Sequence, residues 1–326
     1  MSFLTNLQNS VSTTSIGGTA QFVLSTGCAK NNIETHSQNA MITTGCGDQN
    51  IGVDVSCNLV IDTGCCGKDF IVGNAGNALI NTNCDDDTII LDCDNLDLDV
   101  GCGADNVIVS ARDSISITGC CGDKAILAEN LGGKNANYIS LLDGNHTINT
   151  IGNNFNIRTG NGNQEIGTIG DNYNVYTGNG NSKVGFYGSN HSYTLGNGNH
   201  DIRTLDNWFA SGEFTSVYDS ATIGLFDHNI GLANSFIMNT AALDKDNNLC
   251  YAIRGTSDIS IQTGKGSLQG LVTIGDGKFN LKTGDSATRN IDVSLGGTGS
   301  LQNFESGVFK AQNGYILKEN ETLSNG

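Results

Sequence analysis

Residues 141–203 read LLDGNHTIN, TIGNNFNIR, TGNGNQEIG, TIGDNYNVY, TGNGNSKVG, FYGSNHSYT and LGNGNHDIR when they are divided into groups of nine. An asparagine takes the fifth place of every group, from Asn145 to Asn199. The eighth place is aliphatic in every group except one, where it is Tyr193. From residue 159 on, every second group contains GNGN, so the structural period is eighteen residues, or two unlike nonapeptides. A fixed period of this kind indicates a solenoid.

The repeat predicts one short strand in each group, centred on the aliphatic residue, and one corner rich in glycine and asparagine. Both corner residues tolerate a positive φ, which a sharp turn requires. Strands of successive coils would stack in parallel about 4.8 Å apart, which aligns the aliphatic residues into a core and the asparagines into a hydrogen-bonded ladder. The predicted fold class is therefore all-β: a parallel β-solenoid with coils of about 18 residues and one non-repeat insertion.

The repeat pattern also divides the chain into segments. After residue 259 the period lengthens to about twenty, with Leu271, Leu281, Ile291 and Leu301 predicted in the core. The end segments are expected to cap the stack, because an open edge would pair with other chains. The predicted segments are an N-terminal cap (1–25), a Cys/Asp-rich β-solenoid (26–126), a loop interruption (127–140), an Asn-ladder β-solenoid (141–206), an aromatic insertion (207–252), a C-terminal β-solenoid (253–302) and a capping tail (303–326).

Composition excludes some classes of function. The formal net charge is −17, and no basic stripe is present to neutralise phosphates, so nucleic-acid binding is not expected. No cleaved secretory signal and no apolar run of membrane-spanning length is visible. Three locations stay open: the cytoplasm, a phage particle, or the exterior after export without such a signal.

Upstream of the asparagine repeat, an aspartate follows a cysteine by three residues at intervals of eighteen. Stacked carboxylates would repel each other by about 1 kcal/mol per pair in water and about 3–4 kcal/mol at an effective dielectric constant near 20. Protonation, solvent screening or bound cations could offset this repulsion, and oxygen ligands at glycine-rich corners are typical of Ca²⁺ sites. Alternatively, each aspartate forms a local turn and binds nothing. The candidate calcium ligands are Asp69, Asp87, Asp105 and Asp123.

One segment resembles a known family. Residues 101–107, GCGADNV, follow the pattern G-x-G-x-D-x-U and are similar to the nonapeptide of repeats-in-toxin (RTX) proteins. The resemblance covers roughly 63–126 and, more loosely, 141–206. It implies a β-roll with two nonapeptides per coil, calcium bound between corners through the aspartate, and export without a cleaved signal. Gln164, Ser182 and His200 replace that aspartate, so their coils are expected to bind calcium weakly or not at all.

Eleven cysteines are foreign to the RTX pattern and leave three interpretations open. In-register stacking gives neighbouring Cβ atoms parallel directions, which is a poor geometry for a disulfide. This favours a stack of small buried thiols, since a free cysteine behaves as a compact apolar residue. Disulfides, with Cys65–Cys66 and Cys120–Cys121 as vicinal pairs, are the second interpretation. A soft-metal site is the third.

The largest break in the repeat is rich in aromatic residues. Such an excursion from a solenoid predicts a contact with a protein partner; the alternative is a lid over an exposed edge strand. Residues 229–243 within it are compatible with a helix that begins at Asn229. The candidate contact residues are Trp208, Phe209, Phe214, Phe226 and Phe236.

No nucleophile elbow, P-loop or zinc-protease motif is present, and the acidic stretch from Asp92 to Asp99 is the only enzymatic candidate. The sequence therefore predicts a non-enzymatic structural β-solenoid: a rod, spacer or layer subunit that assembles with itself or with protein partners. In its exported form calcium would stiffen it, and no other cofactor is expected. The alternatives are a phage fibre or adhesin module that binds a glycan, and an intracellular scaffold subunit of a larger machine.

Overall fold

The chain is an all-β parallel β-solenoid of about ten coils with a spacing of about 18 residues, as the repeat predicts. The structure is a computed structural model. It describes residues 21–188, 191–196 and 198–204, together with the backbone of eight strand segments outside these ranges. No helix among the described residues has the length and apolar character that a membrane crossing requires.

The backbone divides into two compact units, Met1–Asn156 and Ile157–Gly326. Strands β1–β11 begin in the first unit: Phe3–Leu7, Gln21–Thr26, Asn31–Thr43, Gln49–Asp62, Phe70–Asn81, Thr88–Asp99, Asp105–Gly119, Lys124–Asn130, Asn137–Leu141, His146–Ile151 and Phe155–Arg158. Strands β12–β23 lie in the second: Gln164–Ile169, Tyr173–Tyr176, Ser182–Tyr187, His191–Leu195, Asn199–Thr204, Ala233–Thr240, Asn248–Gln262, Ser267–Ile274, Lys278–Lys282, Thr288–Leu295, Ser300–Gln302 and Val308–Lys310.

Successive coils of the first unit pair in parallel, so that equivalent residues lie above one another. Register shifts divide several long strands into two stretches; in the pairing of β4 with β5 the shift falls between Val55 and Asn58. Aliphatic side chains fill the interior, because alternate residues of each strand point inward. One buried column consists of Ile33, Ile51, Ile71, Ile89, Val107, Ile126 and Ile148.

The second unit confirms two nonapeptides per coil. A strand recurs every nine residues, but pairing joins strands eighteen residues apart, such as β12 with β14, where Ile166 pairs with Val184. The predicted core residues Ile157, Ile166, Val175, Val184, Tyr193 and Ile202 are all buried.

The corners use residues that tolerate a positive φ. Asn154 and Asn172, two of the predicted corner asparagines, have φ values of 62° and 64°. Gly101 has a φ of 58°, and an added Cβ would collide with the carbonyl oxygen of Asn83 in the coil before it. Close stacking of corner backbones therefore requires glycine at this position.

An amide ladder runs along the surface of the first unit at positions that the asparagine repeat did not predict. Asn58 donates from Nδ2 to Oδ1 of Asn39 at 2.8 Å, and Asn77 donates to Asn58 at 3.0 Å. Asn95 then donates to Asn77 at 2.9 Å, and the Ser114 hydroxyl donates to Asn95 at 2.7 Å. Side chains of consecutive coils are thus joined outside the core as well as inside it.

Two interruptions differ from their predicted extent. The loop predicted over 127–140 is confined to residues 131–136, because β8 continues to Asn130 and β9 begins at Asn137. The helix considered for 229–243 is wrong, since Ala233–Thr240 is strand β17 and pairs in parallel with both β15 and β18. Backbone hydrogen bonds to the neighbouring strands stabilise the extended conformation here more than the local helix propensity favours a helix.

The C-terminal strands confirm a longer period than eighteen, but the predicted register is off by one. Leu271 pairs with Asp292, and Ile291 pairs with Gly270, so Leu271 and Ile291 do not share a column. Two further segments are only partly described: β1 and β2 pair within the predicted N-terminal cap, and β23 lies within the predicted capping tail.

Candidate functional sites: a buried polar column and an exposed cysteine column

One interior column of the first unit is polar along its whole length. We call these residues the polar column: each lies two residues before a member of the aliphatic column, where a corner passes into a strand. Every member is at most 3% exposed. The polar column consists of Asn31, Gln49, Asp69, Asp87, Asp105, Lys124 and His146.

The side chains of the polar column satisfy backbone groups at the corners. The N–H of Asp69 donates to Oδ1 of Asp87 at 2.8 Å, and the N–H of Asp87 donates to Oδ1 of Asp105 at 2.9 Å. The N–H of Gln49 donates in the same way to Asp69 at 2.9 Å, and that of Lys124 to Nδ1 of His146 at 3.2 Å. Each acceptor side chain thus caps the backbone of the preceding coil, because an unpaired buried N–H would be costly.

Lys124 provides a cation inside the first unit. Its Nζ lies 2.7 Å from Oδ2 of Asp105, and both side chains have an exposed fraction of 0%. The same ammonium donates to the carbonyl oxygens of Gly103 at 2.6 Å and Cys121 at 3.2 Å. Three oxygen acceptors thus surround the charge, which a buried ammonium requires.

Burial raises the pKa values of the aspartates in the polar column. It raises the pKa of Asp69 to about 6 and the pKa of Asp87 to about 7, because removal from water disfavours the charged carboxylate. Burial also raises the pKa of Asp105, but the Lys124 ammonium opposes that shift. Oδ2 of Asp87 is buried and has no hydrogen-bond partner among the described residues. Partial protonation and the internal lysine therefore reduce the repulsion that stacked aspartates would otherwise experience.

The predicted column of four aspartates is wrong at its fourth member. Lys124, rather than Asp123, pairs with Asp105. Asp123 is exposed, and its Oδ1 accepts the backbone N–H of Asn145 at 2.7 Å. The coil with the Cys120–Cys121 pair has one residue more than eighteen, which moves Asp123 out to the corner. The structure therefore brings together Asp69, Asp87 and Asp105 only.

The acidic stretch between Asp92 and Asp99 lies at the surface. Arg112 forms ion pairs with Asp94 at 2.9 Å and with Asp92 at 3.6 Å, while Asp97 and Asp99 are exposed on the second stretch of β6. The two pairs of carboxylates thus belong to different stretches of the strand and face solvent.

A column of cysteines lies at the corner beside the polar column. The prediction of a stack of buried thiols is wrong for this column, because most of its thiols are accessible to solvent. The free members are exposed or half-buried, and Cys93 is the one buried free cysteine among the described residues. The cysteine column consists of Cys28, Cys46, Cys65, Cys66, Cys84, Cys102, Cys120 and Cys121.

At the end of this column a disulfide joins consecutive coils. Cys102 and Cys120 are bonded, and their Cα atoms are 5.0 Å apart. The second interpretation, a disulfide, therefore holds at this corner, where the separation of the Cα atoms lies within the usual range for disulfides.

Two groups of three cysteines bring their sulfur atoms close enough to hold a metal ion, the second only when its disulfide is reduced. The Sγ atoms of Cys46, Cys65 and Cys66 all lie within 4.8 Å of one another, and hydrogen bonding to Cys28 raises the pKa of the Cys46 thiol to about 12. The second group, Cys102 with Cys120 and Cys121, has the same compactness.

The second unit carries polar groups at the equivalent corner. Gln164 pairs with Ser182, which pairs with His200, and all three are buried. Nε2 of His200 lies 2.9 Å from the carbonyl oxygen of Gly196. The corner asparagines Asn163 and Asn181 directly precede Gln164 and Ser182, and Oδ1 of Asn163 accepts the backbone N–H of Asn181 at 3.1 Å. The asparagine repeat thus contributes a contact between coils, which here joins a side chain to the backbone, whereas the predicted ladder joined amide side chains.

A buried aromatic cluster in the second unit has no counterpart in the sequence predictions. His191 stacks on Tyr173 with ring centroids 5.0 Å apart, and its Nδ1 lies 3.1 Å from the Tyr193 hydroxyl. Burial lowers the pKa of His191 to about 3, so the imidazole is neutral at ordinary pH. The cluster fills the interior where two consecutive coils carry large side chains.

The predicted partner residues lie mostly outside the described residues: Trp208, Phe209, Phe214 and Phe226 all do. Phe236 is in β17, where its backbone pairs with that of His191. In comparisons with known proteins, no protein-family model, no curated protein and no solved structure matches the chain.

Proposed function

We propose that this protein is a non-enzymatic structural β-solenoid, a rod, spacer or layer subunit that assembles with itself or with protein partners. One observation carries the proposal: polar side chains of each coil form hydrogen bonds to a neighbouring coil. The polar column, the surface amide ladder and the Asn163–Asn181 contact all do this. Such side chains serve the stack rather than a substrate.

The aromatic segment between β16 and β17 is the part that we assign to partner contact. Strand β15 pairs with β17, and β16 pairs with β18, so parallel stacking continues on both sides of residues 205–232. A break in the repeat that holds Trp208, Phe209, Phe214 and Phe226 is suited to contact another chain.

Replacing residues 207–231 with a short Gly/Ser linker tests this assignment. We expect the full chain to self-associate as its concentration rises in sedimentation velocity, and the linker variant to stay monomeric with Tm changed by only a few degrees. The matched control is the Leu79→Ser/Tyr138→Ser double variant, which removes two exposed apolar side chains outside the segment. A linker variant that associates like the full chain would contradict the assignment.

The RTX resemblance extends the proposal to calcium, which stays a prediction. The 18-residue coil is compatible with a β-roll, but three of the four candidate ligands are buried, and each uses Oδ1 for a backbone N–H. Lys124 already neutralises the third of them. This use of the oxygens favours the calcium-free alternative.

Thermal unfolding of the reduced protein, with calcium and with a chelator, decides the calcium question. We expect the two melting temperatures to agree, since a ligand raises Tm only by binding the native state. A large rise with calcium that disappears in Asp87→Ala and Asp105→Ala would instead support an RTX-like calcium site and an exported, calcium-stiffened protein.

A further inference from the structure

The first thiol group has the dimensions of a metal site. Its three sulfur atoms lie within 4.8 Å of one another, and those of Cys65 and Cys66 are 3.8 Å apart. Thiolates bound tetrahedrally to Zn²⁺ lie about 2.3 Å from the ion, which places neighbouring sulfurs about 3.8 Å apart. The pair is thus already at the separation that coordination requires, and Cys46 has little distance to move.

The chain builds this group by lengthening one coil. Gln49 and Asp69, neighbours in the polar column, are 20 residues apart, whereas Asp87 and Asp105 are 18 apart. The longer corner carries both Cys65 and Cys66, between glycines with positive φ at Gly64 and Gly67. The group therefore combines a vicinal pair from one coil with a single thiol from the coil before it.

The exposure of the three cysteines and the softness of their thiolates indicate which class of metal ion the group could bind. Cys65 and Cys66 are exposed and Cys46 is half-buried, so an ion can reach the group from solvent. Soft thiolate ligands select Zn²⁺ and Cu⁺ over the hard cations Ca²⁺ and Mg²⁺.

We propose that Cys46, Cys65 and Cys66 form a binding site for a thiophilic d¹⁰ cation, of the Zn²⁺ and Cu⁺ class, which joins two consecutive coils. Three thiolates hold the ion, and the fourth position is open to water. The site lies at a corner rather than in the core, so the ion strengthens the contact between coils without taking part in the folding of the interior.

The second thiol group provides a comparison within the same chain. Cys102 and Cys120 are tied in a disulfide, which leaves Cys121 as its only free thiol. With that disulfide intact the first group binds one ion and the second binds none. After reduction both groups have three thiols, and the protein takes up a second ion.

The test is a Zn²⁺ titration of the reduced full chain in competition with a chromogenic chelator. We expect Cys46→Ser, Cys65→Ser and Cys66→Ser each to remove one equivalent of tight binding, because each variant loses one of the three thiolate ligands. Cys57→Ser is the matched control, because Cys57 is exposed and belongs to neither group. Equal stoichiometry in all four variants and the unchanged protein would overturn the proposal.

A second measurement needs no substitution, so it holds even if a serine variant fails to fold. The reduced protein is alkylated with iodoacetamide, with and without Zn²⁺, and the cysteine peptides are quantified by mass spectrometry. We expect Zn²⁺ to protect Cys46, Cys65 and Cys66 from alkylation and to leave the labelling of Cys57 unchanged, because a thiolate bound to the ion is not free to react. Equal labelling of all four residues in the presence of Zn²⁺ would overturn the proposal.

Discussion

Replacing Lys124 with methionine is expected to lower the free energy of unfolding by about 3–5 kcal/mol, because it leaves the charge of Asp105 buried without its partner. The ion pair is 2.7 Å long and fully enclosed. Since 1 kcal/mol shifts Tm by about 2–4 °C in a domain of 150–250 residues, Tm should fall by at least about 6 °C. Circular dichroism at pH 7.5 measures this shift.

Lys68→Met is the matched control for the loss of Lys124. Lys68 forms an ion pair of similar length with Asp86, 2.6 Å, but the two side chains are 69% and 46% exposed. An exposed pair contributes at most about 1 kcal/mol. Adding Asp105→Asn to Lys124→Met should restore much of the loss, because asparagine keeps Oδ1 for the N–H of Asp87 and carries no charge. Equal effects of Lys68→Met and Lys124→Met would contradict the buried pair.

Replacing Asp87 with asparagine is expected to stabilise the protein above pH 7 and to have little effect near pH 4. Burial raises the pKa of Asp87 to about 7 in the folded chain, whereas an unfolded aspartate titrates near about 3.9. The folded state therefore binds the proton more tightly. The stability that this proton contributes is fully present below about pH 4 and is lost as the pH rises to about 7.

Asparagine removes this loss while it keeps Oδ1 as the acceptor for the N–H of Asp69. One pKa unit corresponds to about 1.4 kcal/mol, so the gain at pH 8 should be a few kcal/mol at most. Melting temperatures of both proteins from pH 4 to pH 8 measure it. The control is Asp97→Asn, which removes the same charge from an exposed position. A gain that is equal at both ends of this range, or equal in the control, would contradict the raised pKa.

The sequence predicted the architecture because the solenoid repeats its own signals. Ile148, Ile157 and Ile166 stand nine residues apart, and each is buried. The corner conformation of Asn154 and Asn172 followed from the same spacing. A period of this kind is local information that no distant contact can alter, so pattern and fold agree.

The prediction that assumed a constant interval of eighteen residues between stacked aspartates failed where the length of a coil differs from eighteen. It found Asp69, Asp87 and Asp105 but placed Asp123 where Lys124 lies. Alignment on the buried aliphatic residues would have placed the column correctly, because Lys124 precedes Ile126 by two residues just as Asp105 precedes Val107. The residue type of Lys124 also led the prediction away from it. A lysine is normally expected at the surface, and its burial here could be anticipated only if its pairing with Asp105 were known.

The cysteine column shows a different limit of sequence reasoning. Spacing indicated that the thiols stack, but not whether the corner directs them inward or outward. The exposure of the free thiols in the structure shows that most of them face outward. The helix considered for 229–243 failed for a related reason, since pairing with β15 and β18 decides the backbone there.

The most direct test of the polar column, on which the stack depends, is an NMR titration of aspartate side chains labelled with ¹³C at Cγ. The resonance that is missing from the spectrum of Asp87→Asn identifies Asp87. If this carboxyl is enclosed between Asp69 and Asp105, its resonance titrates with a midpoint near 7. A midpoint in the ordinary range of aspartate, about 3.9, would show that the side chain is in water and that the coils do not stack through a buried polar column.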